Sequence, residues 1–192
     1  MSFVHIDQIG EVSLERANKV LAVVPGGIWK AVHGALERAG ETAKTRAGQF
    51  AAAEYTINKG DFMKNVSMKS RITGDSGGAV SMTLSYAGNV LPLLTFNTRF
   101  SRGGLLQTQV KRHGVTETLQ HVFAERVFGP IAAFERLGTS RFPVEQKYGP
   151  SASHMLENEA VIEQMDKTVR EAFDKRIEAE INRVLNGWGG KS

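Results

Sequence analysis

The chain has 192 residues, of which 41% are hydrophobic and 23% charged, with a net charge of +4 and no cysteine. This length suits one folded domain, so we predict a single α+β domain over residues 1–192. The lack of cysteine excludes disulfides, thiolate nucleophiles and cysteine-based zinc sites, and the mild basic excess permits an anionic partner without demanding one.

Residues 1–56 are predicted to form a helical N-terminal part. Ser13 suits the N-cap of a short helix, which the sequence PGG at 25–27 ends. Apolar residues at steps of three or four from Ile28 to Phe50 predict a second, long helix that reaches the mid fifties. Three glycines interrupt this helix, at positions 34, 40 and 48, and we interpret them as places where another helix packs closely.

Residues 57–150 are predicted to form a β-rich core. The sequences VSMKSRIT from Val66 and AVSMTLSYA from Ala79 alternate apolar and polar residues, which is typical of half-buried strands. Further strands are predicted at 91–98, 105–112, 115–119 and 121–128. The whole pattern indicates an α+β fold with a central antiparallel sheet or meander between helices.

Residues 151–187 are predicted to form a long amphipathic C-terminal helix that begins near Ser153, and 188–192 a flexible tail. Its apolar stripe consists of Ile162, Met165, Val169, Phe173, Ile177, Ile181 and Val184. The preceding GPS at 149–151 predicts a hinge. Gly149 can turn the chain with a positive φ, Pro150 sets the next φ, and Ser151 or Ser153 can cap the helix.

The sequence GDSGG at 74–78 matches the nucleophile loop of chymotrypsin-type serine proteases, with Ser76 as the nucleophile. Such a site needs a histidine base, and the histidines upstream of Ser76 are His5 and His33. Helices at both ends of the chain leave too few residues for the two barrels of that fold. We therefore interpret GDSGG as a turn between two strands, and keep a serine hydrolase as the less favoured alternative. No histidine spacing suits a metal, so we assign no metal and no cofactor.

Short segments along residues 28–186 resemble a known protein family. The matching residues are Tyr55, Ile57, Lys59 and Gly60, then Val122 and Phe123, then Phe142, Pro143 and residues 149–151. In this order they resemble the tail completion proteins of long-tailed bacteriophages, the minor tail protein Z group of lambda-like phages and their relatives.

The resemblance implies a virion structural protein and no enzyme. Such a subunit forms a ring, hexameric in the resembled family, at the head-proximal end of the tail. The implied partners are the tail tube, head-connector or tail terminator proteins and the genomic DNA in the channel. We expect it in the virion tail and, during assembly, in the host cytoplasm, without membrane contact, since no apolar run could cross a bilayer and the first residues lack a secretory signal.

Two sets of residues are candidate contacts for such a subunit. The DNA-facing set is basic and consists of Arg99, Arg102, Lys111 and Arg112. The subunit-interface set is apolar and consists of Val90, Leu91, Leu93 and Leu94. The basic set also permits an alternative function, a nucleic-acid-binding accessory protein, although basic residues in a loop are more often simply solvated. Steep salt dependence of DNA binding by a monomer or dimer would favour that alternative.

Overall fold

A computed structural model describes residues 2–6, 11–74, 80–126 and 129–187. It confirms the α+β fold class, with helices towards the N-terminus, several small antiparallel sheets and a long C-terminal helix. The helices are α1 (Glu11–Leu21), α2 (Gly27–Glu54), α3 (Lys59–Lys64), α4 (Ala152–Leu156) and α5 (Glu159–Leu185), with a 3-10 turn at Leu93–Thr95.

Most strands are short, and within the described residues the strands form four antiparallel sheets instead of the one central sheet that was predicted. They are β1 (Ser2–Ile6), β2 (Val66–Gly74), β3 (Val80–Gly88), β4 (Val90–Pro92), β5 (Asn97–Phe100), β6 (Leu106–Gln109), β7 (Glu117–Leu119), β8 (Val122–Glu125), β9 (Ala132–Arg136), β10 (Val144–Gln146) and β11 (Tyr148–Ser151). The sheets have the orders β1-β3-β2, β5-β6-β7, β10-β9-β8 and β11-β4.

The chain divides into two compact units. Unit 1 contains the described residues of 1–47, 68–86 and 162–192, and unit 2 those of 48–67 and 87–161. Each unit therefore combines stretches that are distant in sequence, and a division of the sequence into consecutive segments does not predict such units. The predicted boundaries at 57 and 151 mark changes of secondary structure and do not separate these units.

Unit 1 buries one face of each of its two long helices. On α2 this face is a row of alanines, at positions 31, 35, 39, 43 and 47, and on α5 it carries larger side chains, Met165, Val169, Phe173, Ile177 and Ile181. A Cβ at Gly34 would lie 3.0 Å from a carboxylate oxygen of Glu180 on α5, so the end of a flexible side chain lies beside this glycine. The close packing of a helix at Gly34 stays a prediction. Gly40 instead faces Met82 of β3, where an added Cβ would lie 3.0 Å from the sulfur.

Two local predictions for the N-terminal helices had different outcomes. The break at 25–27 is confirmed, since α1 ends at Leu21, α2 begins at Gly27, and Gly26 between them has a φ of 65°. The capping role of Ser13 was wrong, because α1 already begins at Glu11 and Ser13 lies inside it.

Unit 2 contains a small apolar cluster of Leu93, Leu106, Val122 and Ala133. The predicted strand at 91–98 is broken within this cluster, since a 3-10 turn at Leu93–Thr95 separates β4 from β5. The hydroxyl of Thr98 donates a hydrogen bond to the Leu93 carbonyl at 3.0 Å, which connects β5 to the start of the turn. The turn allows one short segment to contribute strands to two different sheets.

The entry into the C-terminal helices differs from the predicted hinge at one residue. Ser151 caps α4 as predicted, by accepting a hydrogen bond from the backbone N–H of His154 at 3.1 Å. Gly149 does not have a positive φ. It lies in β11 against the ring of Phe96, where a side chain would not fit.

Candidate functional site

The hairpin of β5 and β6 carries two of the four predicted DNA-facing residues. Its register pairs Arg99 with Gln107 and Phe100 with Leu106. Side chains alternate between the two faces of a strand, so Arg99 shares the outer face with Asn97, Gln107 and Gln109. Arg99 is exposed there, whereas the opposite face places Thr98 against Thr108, with 3.1 Å between their hydroxyl oxygens.

The tip of this hairpin is a turn closed by Ser101 and Leu105. The backbone N–H of Ser101 donates to the Leu105 carbonyl at 2.8 Å, and the Leu105 N–H donates to the Ser101 hydroxyl at 3.1 Å. Gly104 has a φ of 79°, a backbone conformation that favours glycine. Arg102 therefore stands exposed on an ordered turn.

Lys111 and Arg112 lie at the other end of β6. Since β6 contributes four residues, about 14 Å at ~3.4 Å per residue, they are well separated from Arg102. Lys111 forms an isolated antiparallel bridge with Tyr55, and the Nε of Arg112 donates to the Ala52 carbonyl at 2.7 Å. The four basic residues therefore do not form one cluster, which corrects the interpretation of them as a single DNA-facing set.

The predicted subunit-interface residues are mostly used inside the chain. Leu91 and Leu93 are 1% and 5% exposed, and Leu94 packs against the apolar cluster of unit 2. Leu91 and Leu93 are thus not free to contact another subunit, which corrects the prediction for these two residues, whereas Leu94 is only partly buried. Val90 is 56% exposed and remains a candidate.

Sequence reasoning missed two exposed apolar residues at the hairpin tip. Phe100 is 54% exposed and Leu105 is 41% exposed, on either side of the turn that carries Arg102. The available signal was the position of both residues next to the turn-forming sequence SRGG. Large apolar side chains held in water at the end of a hairpin favour contact with a partner.

Ser76 lies outside the described residues, but the neighbouring Gly74 is described at the end of β2. A Cβ at Gly74 would lie 2.3 Å from Cζ3 of Trp29, so this first glycine of GDSGG makes room for the indole ring. Gly74 therefore has a packing role that does not depend on catalysis.

His33, one of the two histidines upstream of Ser76, lines a cleft in unit 1. The cleft has a volume of about 240 Å³ and also contains Trp29, Glu180 and Arg183. The ring of His33 lies 5.5 Å from that of Trp29, centroid to centroid, and Arg183 pairs with Glu180 at 3.4 Å. Among the described residues no hydrogen bond connects the His33 ring to a carboxylate.

Comparisons with protein-family models, with curated proteins and with solved structures found no match to this chain. Within the described ranges, no group of three or more histidine, aspartate or glutamate side chains is arranged to hold a metal ion. None of the helices formed by these residues is long and apolar enough to cross a membrane.

Proposed function

We propose that this chain is a structural subunit of a phage virion, a tail completion protein that forms a ring at the head-proximal end of the tail around the genome path. The observation that carries the proposal is the β5–β6 hairpin, whose tip holds Phe100 and Leu105 in solvent. The sequence resemblance is the basis for proposing a tail protein at this location, and the hairpin provides a surface suited to assembly.

A ring requires two different surfaces that fit each other, because each subunit contacts the next in a head-to-tail manner. The hairpin tip is the first surface. The second is the two-stranded sheet of β4 and β11, where Val90 and Tyr148 are 56% and 50% exposed. The hairpin tip of one copy and the β4–β11 sheet of the next copy would each bury apolar side chains, as the core of a protein interface does.

The proposal is tested by the assembly state of the full chain, alone and with purified tail tubes, by sedimentation velocity and negative-stain electron microscopy. Phe100→Asp and Leu105→Asp should each weaken ring formation at least about tenfold, because a buried charge at an interface centre is costly. Val23→Asp is the matched control, since Val23 is 86% exposed on unit 1. Its assembly should equal that of the unmodified chain.

Two results would reject the proposal. One is the absence of the protein, by mass spectrometry, from purified phage particles whose genome encodes it. The other is a chain that remains monomeric both alone and on tail tubes. If both hairpin variants still form rings, the proposed function stands, but the hairpin tip is not the contact between subunits.

A further inference from the structure

A pocket of about 510 Å³ lies at one end of the sheet formed by β8, β9 and β10 in unit 2. It is lined by His121, Arg136, Leu137, Gly138 and Thr139. This volume falls in the range of ~300–1,000 Å³ found for small-molecule sites. None of these residues belongs to either contact set considered above.

The strand register brings the basic side chains together. Val122 of β8 pairs with Glu135 of β9 at the end of their ladder, and His121 and Arg136 are the next residues beyond that pair. His121 itself has a φ of 64° in the turn before β8, which directs the chain around the pocket. The loop from Leu137 to Pro143, closed by a 3.2 Å hydrogen bond between the two backbones, forms the other side.

Acidic groups are kept away from this face. Glu135 is adjacent to Arg136 but points to the opposite face of the strand, where its carboxylate pairs with Lys147 at 2.8 Å. Within the described residues, no carboxylate lies within ion-pair distance of His121, Arg136 or Arg141. The Arg136 guanidinium in this pocket is therefore not neutralised by an ion pair among the described residues.

Two arginines at this end of the sheet are held on aromatic rings. The Cζ of Arg136 lies 5.0 Å from the centroid of Phe123, and that of Arg141 lies 5.8 Å from the centroid of Phe142. Such stacking orients a guanidinium while its N–H groups stay available to a phosphate. Phe142 is itself 54% exposed, so an aromatic surface lies on the loop beside the cationic pocket.

We propose that this pocket binds a nucleoside phosphate, either free or as part of a single-stranded nucleic acid. The guanidinium of Arg136 would bind the phosphate through two N–H groups, with His121 and the Thr139 hydroxyl as further donors. Arg141, on the loop from Leu137 to Pro143, would add a second positive charge for the phosphate. Phe142 would stack on the base, which requires no particular sequence because every base has a planar face. The inference does not rest on the proposed ring, since one subunit contains the whole pocket.

The test is titration of the full chain at low salt with three probes: inorganic phosphate, AMP and a fluorescein-labelled ten-nucleotide oligo(dT). Calorimetry measures the first two and fluorescence anisotropy the third. Arg136→Gln and Arg141→Gln should each weaken AMP and oligo(dT) binding about tenfold or more. Phe142→Ala should weaken both probes and leave phosphate binding unchanged. Arg38→Gln is the matched control, as Arg38 is exposed on α2 of unit 1 and should have no effect.

The outcomes separate the possible ligands. If AMP binds at least as tightly as the oligonucleotide, per site, the ligand is a free nucleotide. If the oligonucleotide binds much more tightly, the ligand is a single-stranded nucleic acid. Either result supports the site. Equal affinity for phosphate and AMP, with no effect of Phe142→Ala, would overturn it. No binding of any probe, or equal behaviour of Arg136→Gln, Arg141→Gln and the Arg38→Gln control, would overturn it as well. Because Arg141 lies in an exposed loop, its variant keeps the test valid even if Arg136→Gln unfolds.

Discussion

The Nε of Arg112 donates a hydrogen bond to the carbonyl oxygen of Ala52 in the last turn of α2, at 2.7 Å. The backbone N–H of Arg112 also donates to the carbonyl of Glu54, at 2.8 Å. Carbonyls in the last turn of a helix have no partner within the helix, and a cation there interacts favourably with the helix dipole. Arg112 thus joins the end of α2 to the loop after β6.

Arg112→Ala is therefore expected to lower the free energy of unfolding by about 0.5–1.5 kcal/mol, the net contribution of one such hydrogen bond. Arg99→Ala serves as the control and should have little effect, since Arg99 is exposed on the outer face of β5. Urea unfolding followed by circular dichroism measures both. Equal stability of the Arg112 and Arg99 variants would contradict this role.

Gly149→Ala is expected to destabilise the protein by about 1–3 kcal/mol, the usual cost of overpacking. An added Cβ would lie 2.3 Å from Cε2 of Phe96, and the Phe96 ring is only 4% exposed, so it has no room to move. Gly138→Ala is the matched control, because a Cβ at Gly138 meets no atom within 4 Å. The double variant Gly149→Ala with Phe96→Leu should recover part of the loss. An unchanged midpoint of thermal unfolding for Gly149→Ala would show that the contact is not tight.

Gly74→Ala is expected to produce a spectroscopic change with a smaller loss of stability. Its Cβ would also lie 2.3 Å from a ring, that of Trp29, but this ring is 41% exposed and can move outwards. The emission of Trp29 should then shift to longer wavelength as the indole becomes more hydrated. The measurement is made in a Trp188→Phe background, because the chain has two tryptophans. An unshifted emission maximum would mean that Gly74 does not make room for the ring.

The ion pair of Lys147 and Glu135 is expected to stabilise unit 2 below about pH 10 and not above the titration of the lysine. The hydrogen bond to the Glu135 carboxylate raises the pKa of Lys147 above its ordinary value of 10.5, despite the opposing effect of burial. A raised pKa in the folded state means that the stabilisation is complete below the unfolded pKa and is lost as the pH rises through the folded pKa.

Since both side chains are about one-third exposed, Lys147→Met should cost between a few tenths and about 1 kcal/mol at pH 7. The difference from the unmodified chain should shrink as the pH rises through 10.5. In a Glu135→Gln background the same substitution should show a much weaker dependence on pH. Urea midpoints measured between pH 7 and 11 test both statements, and a difference that grows with pH would have the wrong sign.

Hydrophobic periodicity was enough to predict the elements whose form depends on neighbours in sequence. The apolar spacing of α2 and the alternation in β2 and β3 are local signals, because side chains return to the same face of a helix or a strand with a constant period. The cap at Ser151 was predictable for the same reason, since its acceptor and donor are three residues apart. The strands β1, β9, β10 and β11, of three to five residues each, were missed.

Tertiary structure alone decided which residues the candidate sites contain. Leu91 and Leu93 looked available for a partner because no local pattern shows that both are buried, Leu93 in the cluster with Leu106 and Val122. Arg102 and Arg112 are close in sequence, yet an extended strand carries them apart. His121 and Arg136 are distant in sequence, and antiparallel pairing brings them to one pocket. The sequence therefore determined the hydrophobic period of each element. Strand register and long-range packing determined which elements became neighbours, because register and packing depend on the interaction free energies of residues that lie far apart in the chain.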